Sequence, residues 1–152
     1  MAIDIGGYNF EGIYFDPDQI REDAGVYVVL CIVNETPHCI LDIGTSGHGG
    51  TYLSPNRKPV ITETSNLRHR IKSHDRKKCW EEKKHGEIGF AVLYDSDEKE
   101  ILRIERELQW KFEFACGQNP WKEIEKDWQK YKEFERQFGP RGSWKIRKIR
   151  GV

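Results

Sequence analysis

Arg70 and His74 stand four residues apart, a spacing that sets two side chains about one turn apart on the same face of a helix. A guanidinium beside an imidazole suits a phosphodiester. The planar fork of an arginine can hold two non-bridging oxygens and offset the negative charge that grows in a phosphoryl transition state, while the imidazole donates or shuttles a proton. The same spacing also fits a solvated face of a basic helix. Glu105 raises a separate question. Within a helix its neighbours on one side are Ile101, Leu102, Leu108 and Phe112, so helical phase turns its carboxylate toward the core, whereas Glu107 points toward solvent as an ordinary surface acid. A carboxylate on the core side is costly unless it pairs with a basic side chain or holds a cation. At the N-terminal end, Gly12-Ile13-Tyr14 and Gly25-Val26-Tyr27 each combine a glycine, a β-branched residue and a tyrosine. The first runs straight into Asp16-Pro17, which halts a strand, so Tyr27 is the candidate.

Such distant residues need a scaffold to bring them together. Val26 to Val33 is apolar almost throughout and predicts a strand covered on both faces. Asn34 to Pro37 reads as a loop of about four or five residues, leading to a second, antiparallel strand from His38 to Ile43 that ends at Gly44. Thr45 to Ser65, rich in Gly, Pro, Ser and Asn, reads as a long surface loop. Asn66 is a fitting N-cap for a short helix through about His74. Gly89 to Tyr94 gives a third strand. Ser96 or Asp97 then starts a longer helix whose apolar residues are Ile101, Ile104, Leu108, Phe112 and Ala115. A last helix, from about Trp121 to Phe138, stops at Gly139-Pro140. The order predicts an α/β (α+β) fold: a small, mostly antiparallel three-stranded sheet flanked by helices, with an extra helix at the C-terminal end.

A length of 152 residues suits one domain, with a core over 24–120 and a C-terminal helix and basic tail over 121–152. Lys plus Arg and Asp plus Glu both total 25, which excludes a wholly electrostatic nucleic-acid binder. The charge is uneven all the same. Asp4, Glu11, Asp16, Asp18, Glu22 and Asp23 face only Arg21 in the first stretch, while Asn66 to His85 holds eight Lys or Arg against three acids. Arg68, Lys72, Arg76, Lys77 and Lys78 in that strip are candidates for contact with phosphates, as is the basic segment around Trp144. No apolar run approaches membrane-spanning length, and no leader pattern opens the chain; a cytoplasmic protein is expected. The widely spaced Cys31, Cys39, Cys79 and Cys116 are expected to be reduced and buried.

Taken in order, Gly25-Val26-Tyr27, Asp42-Ile43-Gly44, Asn66-Leu67-Arg68-His69-Arg70 with His74, Glu105 and Asn119 resemble the GIY-YIG nuclease domain over about residues 24 to 120. No single motif is specific; the ordered set is. The resemblance implies an endonuclease hydrolysing phosphodiester bonds in nucleic acid, DNA in the first place, with one divalent metal, Mg²⁺ or Mn²⁺. It implies Glu105 as the metal ligand, Arg70 as the balancing cation, and His74 and Asn119 as further members of the site. Tyr27 would relay or remove the proton of the attacking water, its pKa lowered by Arg70 or the metal. Asp42 stands where the second motif has a tyrosine, and is placed in the catalytic set as a proton acceptor or second carboxylate. Two other classes fit the same chain: a nucleic-acid-binding module that does not cut, and a protein-interaction domain whose last helix docks a partner or a second copy, leaving monomer and homodimer both open. A nuclease requires Tyr27, Asp42, Arg70, His74 and Glu105 to converge on one cleft, with Glu107 outside it.

Overall fold

Val26, Val28, Leu30 and Ile32 point to one side of their strand and Tyr27, Val29 and Cys31 to the other, and both sets are buried. In the computed structural model, which describes residues 2–46, 66–117, 126–141 and 149–150, this strand is β3 (Gly25–Val33), in the interior of an antiparallel sheet. Its neighbours are β4 (Thr36–Thr45) and β5 (Glu87–Tyr94). The face carrying Val26 and Val28 packs on α3 (Glu98–Lys111) through Ile101, Ile104 and Leu108. The face carrying Tyr27 and Val29 is covered by Leu67 and Ile71 of α1 (Leu67–Lys72) and Trp80 of α2 (Lys77–Lys83). Burial on both sides is why the strand can be apolar without alternation.

The sheet is wider than the three strands expected. β1 (Ala2–Ile5) and β2 (Tyr8–Tyr14) form a hairpin, and the full order is β4-β3-β5-β2-β1-β6, with β6 only Ile149–Arg150. Gly6 and Gly7, at φ 64° and 92°, make the hairpin turn between Ile5 and Tyr8, a conformation glycine adopts without a Cβ clash. Ile3, Ile5 and Phe10 drop from this hairpin into the α3-side core. Gly12-Ile13-Tyr14 is therefore part of a strand paired with both β1 and β5, not a segment stopped short of the sheet. The stretch before residue 24 belongs to the same sheet as the rest.

The β3–β4 connection is also tighter than expected. Asn34 and Glu35 both have positive φ, 51° and 64°, as a two-residue turn matching the twist of the strands requires. Pro37 falls within β4, where its missing N–H costs little because β4 is the sheet edge. Helix α3 starts at the Asp97 cap as expected, and α4 (Trp128–Phe138) starts at the Asp127 cap and ends at Gly139, where φ is 85°. The predicted beginning of that last helix, and the Trp144 segment, lie outside the described residues. Trp110 locks α4 to α3: it packs on Tyr131, Phe134 and Phe138 and donates its indole N–H to the Gly139 carbonyl at 2.7 Å. Among the described residues no helix is long and apolar enough to cross a membrane.

The cysteines depart from expectation. Cys31 and Cys39 sit opposite one another on β3 and β4, and Cys79 of α2 meets Cys116 beyond α3; both pairs are disulfide-bonded. Separation along the chain hid the pairing because the strand register and the return of the chain past β4 create both juxtapositions.

Gly44 pairs with Tyr27 across the sheet, and a Cβ there would fall on the Tyr27 phenol. Tyr27 is fully buried and has no room to retreat. Gly44→Ala is expected to destabilise the fold by about 1–3 kcal/mol, read from urea melts. Much of that cost should disappear when Tyr27→Ala is made in the same chain, and a fully additive pair would show that the ring is not the obstacle.

Candidate active site

Helix α1 begins where the Asn66 carboxamide accepts from the His69 N–H at 2.9 Å. Its buried Leu67 and Ile71 pin it to the sheet, which holds Arg70 with its Nε buried against the molecule. The helix ends at Lys72, so His74 lies in the turn beyond it rather than on its next turn. That turn folds the imidazole inward. His74 is only 4% exposed, with its ring 5.9 Å from Tyr27 and 4.8 Å from Trp80 between centroids.

Asp42 reaches the same place through an irregularity of the sheet. Val29 pairs with Asp42 but Leu30 with Ile40, so Leu41 is the extra residue of a β-bulge. The bulge turns Leu41 and Asp42 both toward α2, while Ile40 and Ile43 stay with the α3-side core. The Asp42 carboxylate is completely buried. Its Oδ1 accepts from the Ile43 N–H at 2.9 Å and Arg76 Nη2 at 3.2 Å, and its Oδ2 from Arg76 Nε at 2.8 Å and Trp80 Nε1 at 2.9 Å. A carboxylate offers about four acceptor sites, and all are taken. Asp42 is therefore an anchor with no capacity left for a metal or for the proton of a water, contrary to the catalytic part expected of it. Breaking such a buried pair leaves a charge without partners, at about 3–5 kcal/mol.

Arg76 also fixes His74. Its backbone N–H donates to His74 Nδ1 at 3.0 Å, so in the neutral ring the proton is assigned to Nε2. Burial, with the positive charges of Arg76 and Arg70, pulls the His74 pKa down to about 4, and the ring is neutral at pH 7. The Nε2 atom is buried and unpartnered among the described residues; Asp42 Oδ2, at 3.9 Å, is beyond hydrogen-bonding reach. The Tyr27 hydroxyl is likewise buried without a partner among the described residues. Its pKa is raised, first by burial and then by the Asp42 charge, the opposing effects of Arg70 and Arg76 being smaller. The lowering expected from Arg70 is thus outweighed by burial and by the Asp42 charge.

Glu105, half-buried on α3, shares this field. Loss of hydration pushes its pKa up to about 8, aided by Asp42 and opposed by Arg76, Arg70 and Arg106. Tyr27, Asp42, Arg70, His74 and Glu105 are in this way electrostatically coupled, with Arg76 among them. Glu107 lies apart from the group. It is not the solvated acid expected of it: only 13% of its side chain is exposed, and it lies 3.6 Å from Lys111 and 4.0 Å from Arg103. Asn119 lies outside the described residues.

The proposed phosphate-contacting cations divide. Arg68 donates to the Ile20 carbonyl at 2.6 Å and to Glu22 at 2.9 Å, Lys72 to Asp18 at 2.7 Å, and Arg76 to Asp42. Lys77 and Lys78 are exposed, with the Lys77 ammonium on the Lys72 carbonyl. The acidic N-terminal stretch has folded onto the basic helix, so two regions of opposite sign in the sequence are neighbours in space. Sequence reasoning gave Arg76 to the surface and passed over Trp80. The available signal was their spacing of four, which on α2 brings both to Asp42.

Among the described residues no three His, Cys, Asp or Glu side chains form a group that could hold a metal ion. Magnesium is usually held by one or two carboxylates, with water and substrate phosphate completing the shell. Glu105, a carboxylate among cations and buried polar groups with unfilled hydrogen-bonding capacity, fits that simpler arrangement.

Glu105 also sets a pH test. Its folded-state pKa, about 8, lies above its ordinary 4.5, so the folded protein keeps a proton that the unfolded chain has released. Stability from this group is then lost as pH rises from about 4.5 to about 8. In EDTA, Glu105→Gln is expected to melt a few degrees above the unaltered protein at pH 9 and close to it at pH 4, and equal melting temperatures at pH 9 would refute the buried-acid assignment. Compared with known proteins, the chain matches no family model, no curated protein and no solved structure.

Proposed function

We propose that this protein is a metal-dependent endonuclease that hydrolyses phosphodiester bonds in nucleic acid, DNA in the first place, through a site of the GIY-YIG kind. The observation that carries the reading is the set of buried polar atoms without partners among the described residues, Tyr27 Oη, Arg70 Nε and His74 Nε2, with Tyr27 and Arg70 in the electrostatic field of the Glu105 carboxylate. Leaving a buried donor unpaired costs about 1–3 kcal/mol, and a bound phosphate would satisfy these donors at once.

The side chains divide the work by chemistry. Arg70 donates Nε–H to a non-bridging oxygen and balances the negative charge that grows there. His74, neutral and with Nδ1 engaged, donates Nε2–H to a phosphoryl or leaving oxygen. The protonated Tyr27 hydroxyl orients water and passes a proton on rather than serving as a strong base. Glu105 would hold Mg²⁺ or Mn²⁺, which when bound supplies a Lewis acid and lowers the pKa of coordinated water. Asn119 is placed in the site by the resemblance alone, and Lys77 and Lys78 are the exposed cations available to flanking phosphates.

One observation favours a second reading, binding without cutting. Asp42 replaces the tyrosine of the second motif and has no free acceptor, so the site lacks one proton acceptor that the resemblance implies.

Supercoiled plasmid incubated with the protein and Mg²⁺ or Mn²⁺ separates the two. Nicking or linearisation that EDTA stops, and that Glu105→Ala and Arg70→Ala each reduce by about a hundredfold or more with unchanged circular dichroism, is the expected result. Salt-sensitive binding with no cleavage supports the binding module. Undiminished cleavage by Glu105→Ala would refute the metal assignment.

A further inference from the structure

We propose that Arg76, clamped by Asp42, is a second phosphate-binding cation of this site, and that Asp42 is the positioning residue that aims it. The inference rests on the nucleic-acid reading above and adds to it the means by which an aspartate can stand in the second motif. Asp42 grips Arg76 through Nε and Nη2, and among the described residues Nη1 has no hydrogen-bond partner. The guanidinium is not sealed in. About a third of the Arg76 side chain is exposed (35%), against 1% for Asp42.

Several elements keep this guanidinium where it is. Trp80 shares Asp42 Oδ2 with Arg76 Nε, which leaves the carboxylate no freedom to turn. Gly117, with φ 93°, passes so close that a Cβ there would come within 3.0 Å of Arg76 Nε and 3.1 Å of Cζ, so both its backbone conformation and the arginine require a glycine. The neighbouring Cys116 donates its N–H to the Leu41 carbonyl at 2.7 Å and is bonded to Cys79, next to Trp80. Arg76 is thus held from β4, α2 and the segment after α3, more than a solvated surface arginine needs. Its charge acts on Tyr27, His74 and Glu105 alike. With Arg70, it gives Tyr27 and His74 two guanidinium groups. That is the equipment for a diester bridging two cations, with Asp42 setting the angle of one of them.

The test is equilibrium binding of a short, fluorescein-labelled DNA duplex in EDTA, so that nothing is cut, repeated over a range of salt concentrations. Arg76→Gln is expected to weaken binding about ten- to a hundredfold and to lower the slope of log affinity against log salt by about one phosphate contact. Asp42→Asn gives the sharper comparison. Removing a negative charge beside an anion site should tighten binding if charge alone mattered, whereas loss of the clamp should weaken it severalfold. The double variant should then bind no worse than Arg76→Gln alone. Thermal melts check folding. Where Arg76→Gln does not fold, Arg76→Lys replaces it and is expected to keep the salt slope while losing affinity severalfold. An unchanged affinity and slope in the Arg76 variants, or tighter binding by Asp42→Asn, overturns this proposal and leaves the nuclease reading standing. Failure of the unaltered protein both to bind the duplex and to cut plasmid overturns the nuclease reading, and this proposal with it.

Discussion

A carboxylate removed from water must be met by donors on every side, and for Asp42 the molecule supplies them from three elements. The strand itself offers the Ile43 N–H, α2 offers the Trp80 indole, and the residue capping α2 offers the Arg76 fork. Each donor must arrive within hydrogen-bond distance in a region where the alternative to pairing is an uncompensated charge. That requirement fixes how α2 lies on the sheet, and through Arg76 it also fixes the tautomer of His74. The bulge at Leu41, the close passage of Gly117 and the Cys79–Cys116 bond are the local adjustments that make the arrangement fit.

Against that saturated anchor, the neighbouring groups are conspicuously under-supplied. Tyr27 Oη, Arg70 Nε and His74 Nε2 are buried with no hydrogen-bond partner among the described residues, and Glu105 shares their electrostatic field with its proton held more tightly than usual. Elsewhere charges are met: Asp18 takes Lys72, Glu22 takes Arg68 and Glu100 takes Arg103. Exposed pairs of this sort contribute little stability individually, but they give these cations a partner within the molecule. A protein neutral overall thus holds its charge unevenly, with cations and buried polar groups gathered around Glu105.

Several parts of this arrangement could be read directly from residue order. The strand character of Val26 to Val33, the Asn66 and Asp97 caps, and the core stripe Ile101, Ile104 and Leu108 follow from local rules that act within a few residues. The N-terminal hairpin has a sequence signal too, since Gly6-Gly7 lies between the alternating residues Ile3, Ile5 and Phe10, and the Asp16-Pro17 stop comes only after β2 is complete. Helical phase separated Glu105 from Glu107 but misjudged the latter, because Lys111 and Arg103 gather over it. The length of α1 was overestimated at its far end, where His74 leaves the helix to pack on Tyr27 and Trp80.

The amino-acid order by itself determined the mixed α/β class, the doubly covered central strand, the main helix caps, and the set of chemically capable side chains. Those depend on short-range sterics, backbone capping and hydrophobic period, all of which act along the chain. Tertiary structure alone decided that Asp42 is an anchor rather than a base, that Arg76 turns inward while Lys78 does not, that acidic residues near the N-terminus cover the basic helix, and that the cysteines pair. Each of these depends on which groups meet across the sheet and on how much water they lose when they do, and a one-residue bulge is enough to change the answer.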